Sequence, residues 1–240
     1  MSEQITLYSN VASPYTHGVE LALLEAKVNF KKFEVNLKDK PEWYTKVNPV
    51  GQVPAITYGG PDVPPDQPSP ESVKLRESTI LLEFIAERFP EARLLPQDLV
   101  LRAKARLFID IAKTKLLPAW FGCFRKGEPV EAVFVALEQL QELLPPTGFV
   151  VGEWSIADAY ISGILPRAEI VFENNLNQSG WTEGQGQEIM AVLRGPRFAR
   201  LTQYTQDLTA RPSFKATFDK PAMTDMYKRL FASRAAAQKQ

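Results

Sequence analysis

The chain is poor in the two side chains that most often hold metals or work as acid and base near neutral pH. It has a single cysteine, Cys123, and a single histidine, His17. One thiol cannot close an intrachain disulfide, which excludes a disulfide scaffold and a cysteine-based zinc site. One imidazole argues equally against a histidine-centred metal site, so no metal is expected. An excess of charge is missing too: Lys plus Arg and Asp plus Glu each number 28. Nucleic acid and anionic membrane are therefore not expected as main partners. No apolar run approaches the ~18 residues that a membrane span needs. Met1-Ser2-Glu3-Gln4 offers neither a basic region nor a long apolar stretch, so no signal peptide is expected. The expectation is a soluble, cytoplasmic protein.

The chain does have the means to build a core. Hydrophobic residues make up 45% of its 240 positions, within the range of globular domains. Ile5-Thr6-Leu7-Tyr8 is a short strand of β-formers. Pro14 suits a first helical turn, and Val19, Ala22, Leu23 and Ala26 follow at helical spacing. Phe30, Phe33, Val35 and Leu37 suggest a second strand. Lys40-Pro41-Glu42-Trp43-Tyr44 reads as a short irregular helix. Ala55–Tyr58 and Ser72–Arg76 read as two more strands. Between them, residues 61–70 hold five prolines, which forbids regular structure and predicts a stiff surface loop. From Ser78 to Phe89 a helix is expected, with Ile80, Leu81, Phe84, Ile85 and Phe89 on one face.

After a linker at Pro90–Pro96 the strand signals stop. Leu99–Phe121 and Pro129–Leu144 read as long helices, separated by Gly122 and Gly127. Ser155-Ile156-Ala157-Asp158 has capping-box spacing, with Asp in place of the usual Glu. Residues 174–186 read as a polar loop. Further helices are expected at 198–209, 212–218 and 223–237. The fold class is α/β plus all-α: residues 1–90 form a βαβ unit followed by ββα, and residues 91–240 are helical.

Three small groups carry chemistry. Ser13 stands just before Pro14, where a helix N-terminus favours an anion. Its hydroxyl there could donate to a bound thiolate and lower that thiol's pKa. No His–Asp partner is at hand to make it a nucleophile. The plain alternative is an ordinary Ser N-cap. Val53 precedes Pro54 and is pushed toward extended geometry. With Pro54 cis, the N–H and C=O of Val53 face a ligand, and a peptide can add there as a strand. The plain alternative is a trans proline opening a strand. Glu77 can accept from an ammonium group, and Ser78 can offer its hydroxyl and N–H to a carboxylate. Together they suit the α-amino and α-carboxyl groups of a γ-glutamyl residue, although simple helix capping is the alternative. Lys40 could reach a carboxylate at the far end of such a tripeptide, or be a solvated surface lysine. In this order and spacing the parts describe a glutathione site.

Lys40-Pro41-Glu42-Trp43, Asn48-Pro49-Val50-Gly51-Gln52-Val53-Pro54 and Glu77-Ser78 are similar to the glutathione-site segments of the omega-like cytosolic glutathione transferases. Leu94-Leu95-Pro96 and Ser155-Ile156-Ala157-Asp158 match that pattern as well. The resemblance covers nearly the whole chain. It implies a thioredoxin-like N-terminal domain with cis-Pro54, an all-helical C-terminal domain, glutathione as co-substrate and a homodimer. One departure matters. The omega class usually carries Cys before the proline of its first helix, and this chain has Ser13. A serine cannot form the mixed disulfide that thiol transfer requires. The chain thus resembles the serine-type branch of wood-decay fungi, which implies conjugation and peroxide reduction rather than thiol transfer.

The resemblance also implies an electrophile site between the domains, walled by Tyr15 and the first helix of the second domain. Trp120, Phe121, Phe124 and Arg125 lie near that helix's end. Aromatic walls suit flat ligands and an arginine suits phenolates, so plant polyphenols are the expected ligand class. Core packing is the competing reading of each aromatic. Tyr8 reads as a packed strand residue, and Cys123 as a buried, inert thiol. The expected activity is glutathione conjugation to small, often aromatic electrophiles. The alternative is a ligandin-like carrier of polyphenols.

Overall fold

The computed structural model describes residues 4–237. Met1-Ser2-Glu3, which carry the expectation of no signal peptide, lie outside the described residues. The chain divides into two compact units, Met1–Leu95 and Pro96–Gln240. The sequence reading draws the boundary after Pro90. Residues 90–92 in fact form a 3-10 turn and belong to the first unit.

The first unit is built on a four-stranded sheet. Its elements are β1 (Ile5–Ser9), α1 (Pro14–Glu25), β2 (Lys31–Glu34), β3 (Ala55–Tyr58), β4 (Val73–Arg76) and α2 (Ser78–Arg88). The strand order is β2-β1-β3-β4. β1 runs parallel to β2 and antiparallel to β3, which in turn runs antiparallel to β4. Every residue of β1 is buried, as a central strand covered on both faces must be. The edge strands are short and carry Lys31, Lys32 and Lys74, which discourages edge-to-edge pairing.

The expected face of α2 is turned. Leu81, Leu82, Ile85 and Ala86 are buried, whereas Ile80 is 56% exposed. Phe84 sits at the border with its ring edge against Tyr58, centroids 5.2 Å apart. The proline-rich loop is tied down. Tyr8 Oη donates to the Pro65 carbonyl at 2.8 Å, Lys31 Nζ donates to that of Val63 at 3.0 Å, and Lys31 pairs with Asp62.

The second unit is helical: α3 (Leu99–Ile111), α4 (Leu117–Lys126), α5 (Glu131–Glu142), α6 (Ile156–Ser162), α7 (Leu165–Glu173), α8 (Gln185–Leu193), α9 (Ala199–Ala210), α10 (Pro212–Thr217) and α11 (Lys220–Ala237). A π-helical segment, Ala112–Leu116, joins α3 to α4. Its cause is Pro118: a proline lacks the N–H that would bond the carbonyl four residues back, and the helix widens to accommodate the loss. Gly122 does not end the helix as the sequence suggests. It continues to Lys126, and a Cβ at Gly122 would collide with the Glu128 carboxylate. Gly127, at φ +73°, is the actual C-cap. Helix α8 was not foreseen, because its polar approach hides the run Ile189, Met190, Val192 and Leu193.

Asp158 anchors this unit. It is fully buried, and its carboxylate accepts from Val150 N–H (3.1 Å), Ser155 N–H (2.8 Å), Ser155 Oγ (2.8 Å) and Tyr204 Oη (2.6 Å). The capping box is therefore present with Asp as its acid. Burial nonetheless pushes the Asp158 carboxyl above its usual range, and the donors offset only part of that. Among the described residues, no helix is long and apolar enough to cross a membrane. Tyr204→Phe is expected to lower unfolding free energy by about 2 kcal/mol. Asp158→Ala, which strands four donors, should cost about 4 kcal/mol or more. Denaturant melts check both, and wild-type stability in either variant would remove Asp158 from this role.

Candidate functional site

The sheet register brings distant segments to one end. Tyr8 pairs with Ala55, and Ala55 pairs with Arg76. The end of β1, the start of β3 and the end of β4 are therefore neighbours. β2 runs parallel to β1, so the connection carrying Lys40 leaves from the same end. Ser13, Lys40 and Glu77-Ser78 thus follow strands, and Val53-Pro54 precede one, at a single end of the sheet.

Each part is held locally. Asn10 shapes the turn after β1: its Oδ1 accepts from Ala12 N–H at 3.1 Å, and its carbonyl accepts from Ser13 N–H at 2.8 Å. Ser13 is then the N-cap of α1, at φ −82° and ψ 117°, with Oγ accepting from Thr16 N–H at 3.3 Å. Capping uses only a lone pair of that oxygen. The hydroxyl hydrogen has no acceptor among the described residues and is free to donate.

The Val53–Pro54 peptide bond is cis. The residue before it is fixed by two donors on one carbonyl: Tyr44 Oη at 2.7 Å and Asn48 Nδ2 at 2.8 Å both bond Gln52 O. Asn48 also closes an Asx-type turn, its Oδ1 accepting from Val50 N–H at 3.1 Å. Beneath lies a cluster of Tyr8, Val35, Tyr44, Val47 and Ala55, with Phe33, Trp43 and Val53 packed against it. The backbone N–H and C=O of Val53 have no bonding partner among the described residues, and the residue is half-buried. That is an unused strand edge of the kind a peptide can add to.

The charges flank this edge. Lys40 is exposed, and its Nζ lies 3.0 Å from where a Cβ on Gly51 would stand. Gly51, at φ +67°, therefore leaves room for Lys40 to lie across the turn. Glu77 caps α2 with its backbone alone; its side chain makes no cap bond. Its φ of 72° and ψ of 111° are strained for a residue with a Cβ. Such strain persists where surrounding structure imposes it, and often at ligand clamps. Ser78 opens α2.

A family profile described as "Glutathione S-transferase, N-terminal domain" matches residues 12–88, which include all six of these positions. The crystal structure of glutathione transferase Omega 2C from Trametes versicolor is 50% identical. It superposes with a TM-score of 0.91, covering 96% of this chain and 100% of that one. Glutathione transferase Omega 2S of the same organism, solved in complex with 2,4-dihydroxybenzophenone, is 47% identical. It has a TM-score of 0.90 and covers 95% and 100% of the two chains. The chain belongs to the omega-like glutathione transferases. Among curated relatives, glutathione S-transferase omega-2 of Rattus norvegicus is 29% identical over 107 residues, or 45% of this chain. That match spans only 39% of the rat protein's length. The four-stranded sheet and helical second unit are the glutathione transferase fold, and glutathione is the family's co-substrate.

The aromatics singled out in the transferase's second unit form one cluster on α4. Trp120 stacks on Phe121 at 5.2 Å, Phe121 meets Phe124 edge-on at 5.8 Å, and Arg125 lies 4.3 Å over Phe121. Trp120 and Phe124 are buried, Phe121 is half-buried and Arg125 is exposed. Tyr15 is half-buried on α1, in the first unit. Tyr8 is 1% exposed, and its hydroxyl is engaged by the Pro65 carbonyl. Burial pushes its phenol above the usual range, so it remains neutral. Cys123 is buried, and burial raises its thiol to about 11, with Glu128 adding to the effect. It is neutral and inert at pH 7.

Asn48, Tyr44 and Gly51 position the site, yet the sequence reading gave them no roles. Only the Asn-Pro-Val-Gly turn signal hinted at Asn48. The strain at Glu77 yields a test. Glu77→Gly should be more stable than Glu77→Ala by about 1–3 kcal/mol, because only glycine adopts this backbone freely. Denaturant melts that find the two equal would show that the backbone at 77 is not strained.

Proposed function

We propose that this transferase conjugates glutathione to small, often aromatic electrophiles, with Ser13 stabilising the thiolate. The observation that carries the reading is the uncommitted Ser13 hydroxyl hydrogen at the head of α1. It lies at the same sheet edge as the unpaired Val53 peptide. In this reading the cysteinyl backbone of glutathione pairs with Val53 beside Pro54. Lys40 meets the glycine carboxylate. Glu77 accepts from the γ-glutamyl ammonium, and Ser78 donates to its carboxylate. The sulfur then lies at the N-terminus of α1, where the helix dipole and the Ser13 hydroxyl favour its anion. The thiolate attacks carbon and a carbon–sulfur bond forms: in a substitution the leaving group departs as an anion, and in addition to an isothiocyanate the C=N π pair moves to nitrogen, which takes a proton from solvent. The same thiolate can attack a hydroperoxide. A second glutathione then resolves the sulfenyl product to the disulfide, leaving alcohol and water.

Ser13 cannot take part covalently, so thiol transfer is not assigned. The reducing cytosol supplies the free thiol this chemistry needs, and we assign the protein to the cytoplasm. For the electrophile we assign Tyr15, Trp120, Phe121, Phe124 and Arg125. Support comes from Arg125, whose guanidinium lies 4.3 Å over the Phe121 ring and offers a cation beside the aromatic cluster. A ligandin-like carrier of polyphenols is the second reading. It is favoured by the 2,4-dihydroxybenzophenone bound to the Trametes versicolor relative. We also assign a homodimer, supported by the exposed apolar residues Leu99, Val100 and Leu107 of α3.

Ser13→Ala should lower kcat/KM for an isothiocyanate about 100-fold, the scale of losing one positioned donor to a developing anion. Ser13→Cys should introduce disulfide reduction that the native chain lacks. Undiminished conjugation by Ser13→Ala would remove Ser13 from catalysis. Glu77→Gln should weaken glutathione binding about tenfold or more by calorimetry, through loss of a charge-assisted bond. Tight phenol binding without turnover would favour the carrier. Light scattering should give the dimer mass, and a monomer mass would refute the homodimer.

A further inference from the structure

The second unit contains a cavity of about 230 Å³, lined only by its own residues, from Leu116 to Thr209. It has room for several waters and opens to solvent where the exposed Arg194 and Gln206 line it. We propose that it is a binding site, separate from the glutathione site, for a neutral one- or two-ring molecule carrying O–H or N–H donors.

The floor is apolar: Leu116, Trp120, Leu137, Phe172 and Met190 contribute to it. Such walls accept a flat hydrocarbon body. Leu116 comes from the π-helical segment ahead of Pro118, a kind of irregularity that recurs at functional sites. Trp120 is 2% exposed, and its indole N–H has no partner among the described residues. An unmade buried donor beside a cavity is uncommon in a packed interior.

Part of the lining is polar, and its chemistry selects the ligand. Thr202, Thr205, Gln206 and Thr209 of α9 all line the cavity. Their spacing, i, i+3, i+4, i+7, puts them along one side of α9, bordering its buried stripe of Leu201, Tyr204 and Leu208. Each threonine has already spent its proton. Thr202 donates to the Leu193 carbonyl at 3.1 Å, Thr205 to that of Leu201 at 2.9 Å, and Thr209 to that of Thr205 at 3.0 Å. What these hydroxyls can still offer is acceptor lone pairs. Glu169, which also lines the cavity, is a further acceptor, and burial pushes its carboxyl up. Toward these oxygens the ligand must donate, and toward the Trp120 indole N–H it must accept; one phenol hydroxyl does both.

The charges nearby set its net charge. Arg194 pairs with Glu173, and Lys220 lies 2.9 Å from Glu173 and 3.9 Å from Glu169. Two acids and two bases balance there, so nothing calls for an ion. A phenol or an aryl N–H fits this wall, and its ring fits the floor.

The test is calorimetric titration of the full chain with 2-naphthol and with 2-methoxynaphthalene, which has the same rings but no donor. The native chain should bind 2-naphthol about tenfold more tightly than the ether, the scale of one hydrogen bond to a charged or polar acceptor. Ala168→Phe, which fills the cavity from α7, should lose one equivalent of 2-naphthol while conjugation kinetics remain native. Thr205→Val keeps the shape and removes an acceptor, so it should weaken 2-naphthol about tenfold and leave the ether unchanged. If Ala168→Phe does not fold, Thr205→Val decides alone. Equal binding of both probes to the native chain, or unchanged 2-naphthol binding in Thr205→Val, overturns the proposal. So does an Ala168→Phe chain that folds and keeps every equivalent.

Discussion

One carbonyl oxygen, that of Gln52, governs the candidate site. Tyr44 Oη and Asn48 Nδ2 hold it from two sides, at 2.7 and 2.8 Å. With that oxygen fixed, the next peptide group is presented at the end of the sheet with its N–H and C=O unspent. The grip itself depends on the aromatic cluster below, where Tyr8 and Tyr44 lie 5.7 Å apart and Phe33 packs edge-on against Trp43 at 5.1 Å. A peptide edge left unpaired costs free energy unless water or a ligand satisfies it. The fold keeps this one in place by burying rings beneath it.

Different devices hold the two units. The first relies on sheet register: four strand ends at one end of the sheet collect residues that the sequence spreads from 13 to 78. The second relies on a buried acid. Asp158 gathers the turn before α6, the cap of α6 and Tyr204 of α9 onto one carboxylate. α9 therefore does two tasks with different faces. Tyr204 reaches inward to Asp158, while Thr202, Thr205 and Thr209 line the cavity.

Much of the first unit is legible because its signals are local. Ser-Pro marks a helix start, alternating β-formers mark strands, and five prolines mark a stiff loop. The misplacements also have physical causes. Gly122 reads as a helix breaker, but it lies buried inside α4, which runs on to the cap at Gly127. Ile80 reads as core by spacing, yet Leu82 takes the buried position because α2 is rotated on the sheet. The π-helical turn follows from Pro118, though a proline alone does not say whether a helix will kink, break or widen.

The sequence by itself determined most element types and the family to which the N-terminal segment belongs, since helix starts, strands and motif spacing are all read along the chain. Tertiary structure alone decided which atoms remain free. Whether the Ser13 hydroxyl, the Val53 peptide or the Thr205 lone pairs are available depends on partners such as Thr16, Gln52 and Leu201, and on what packs around them. Hydrogen bonding is a matter of ångströms and angles between groups, and no spacing along the chain records it.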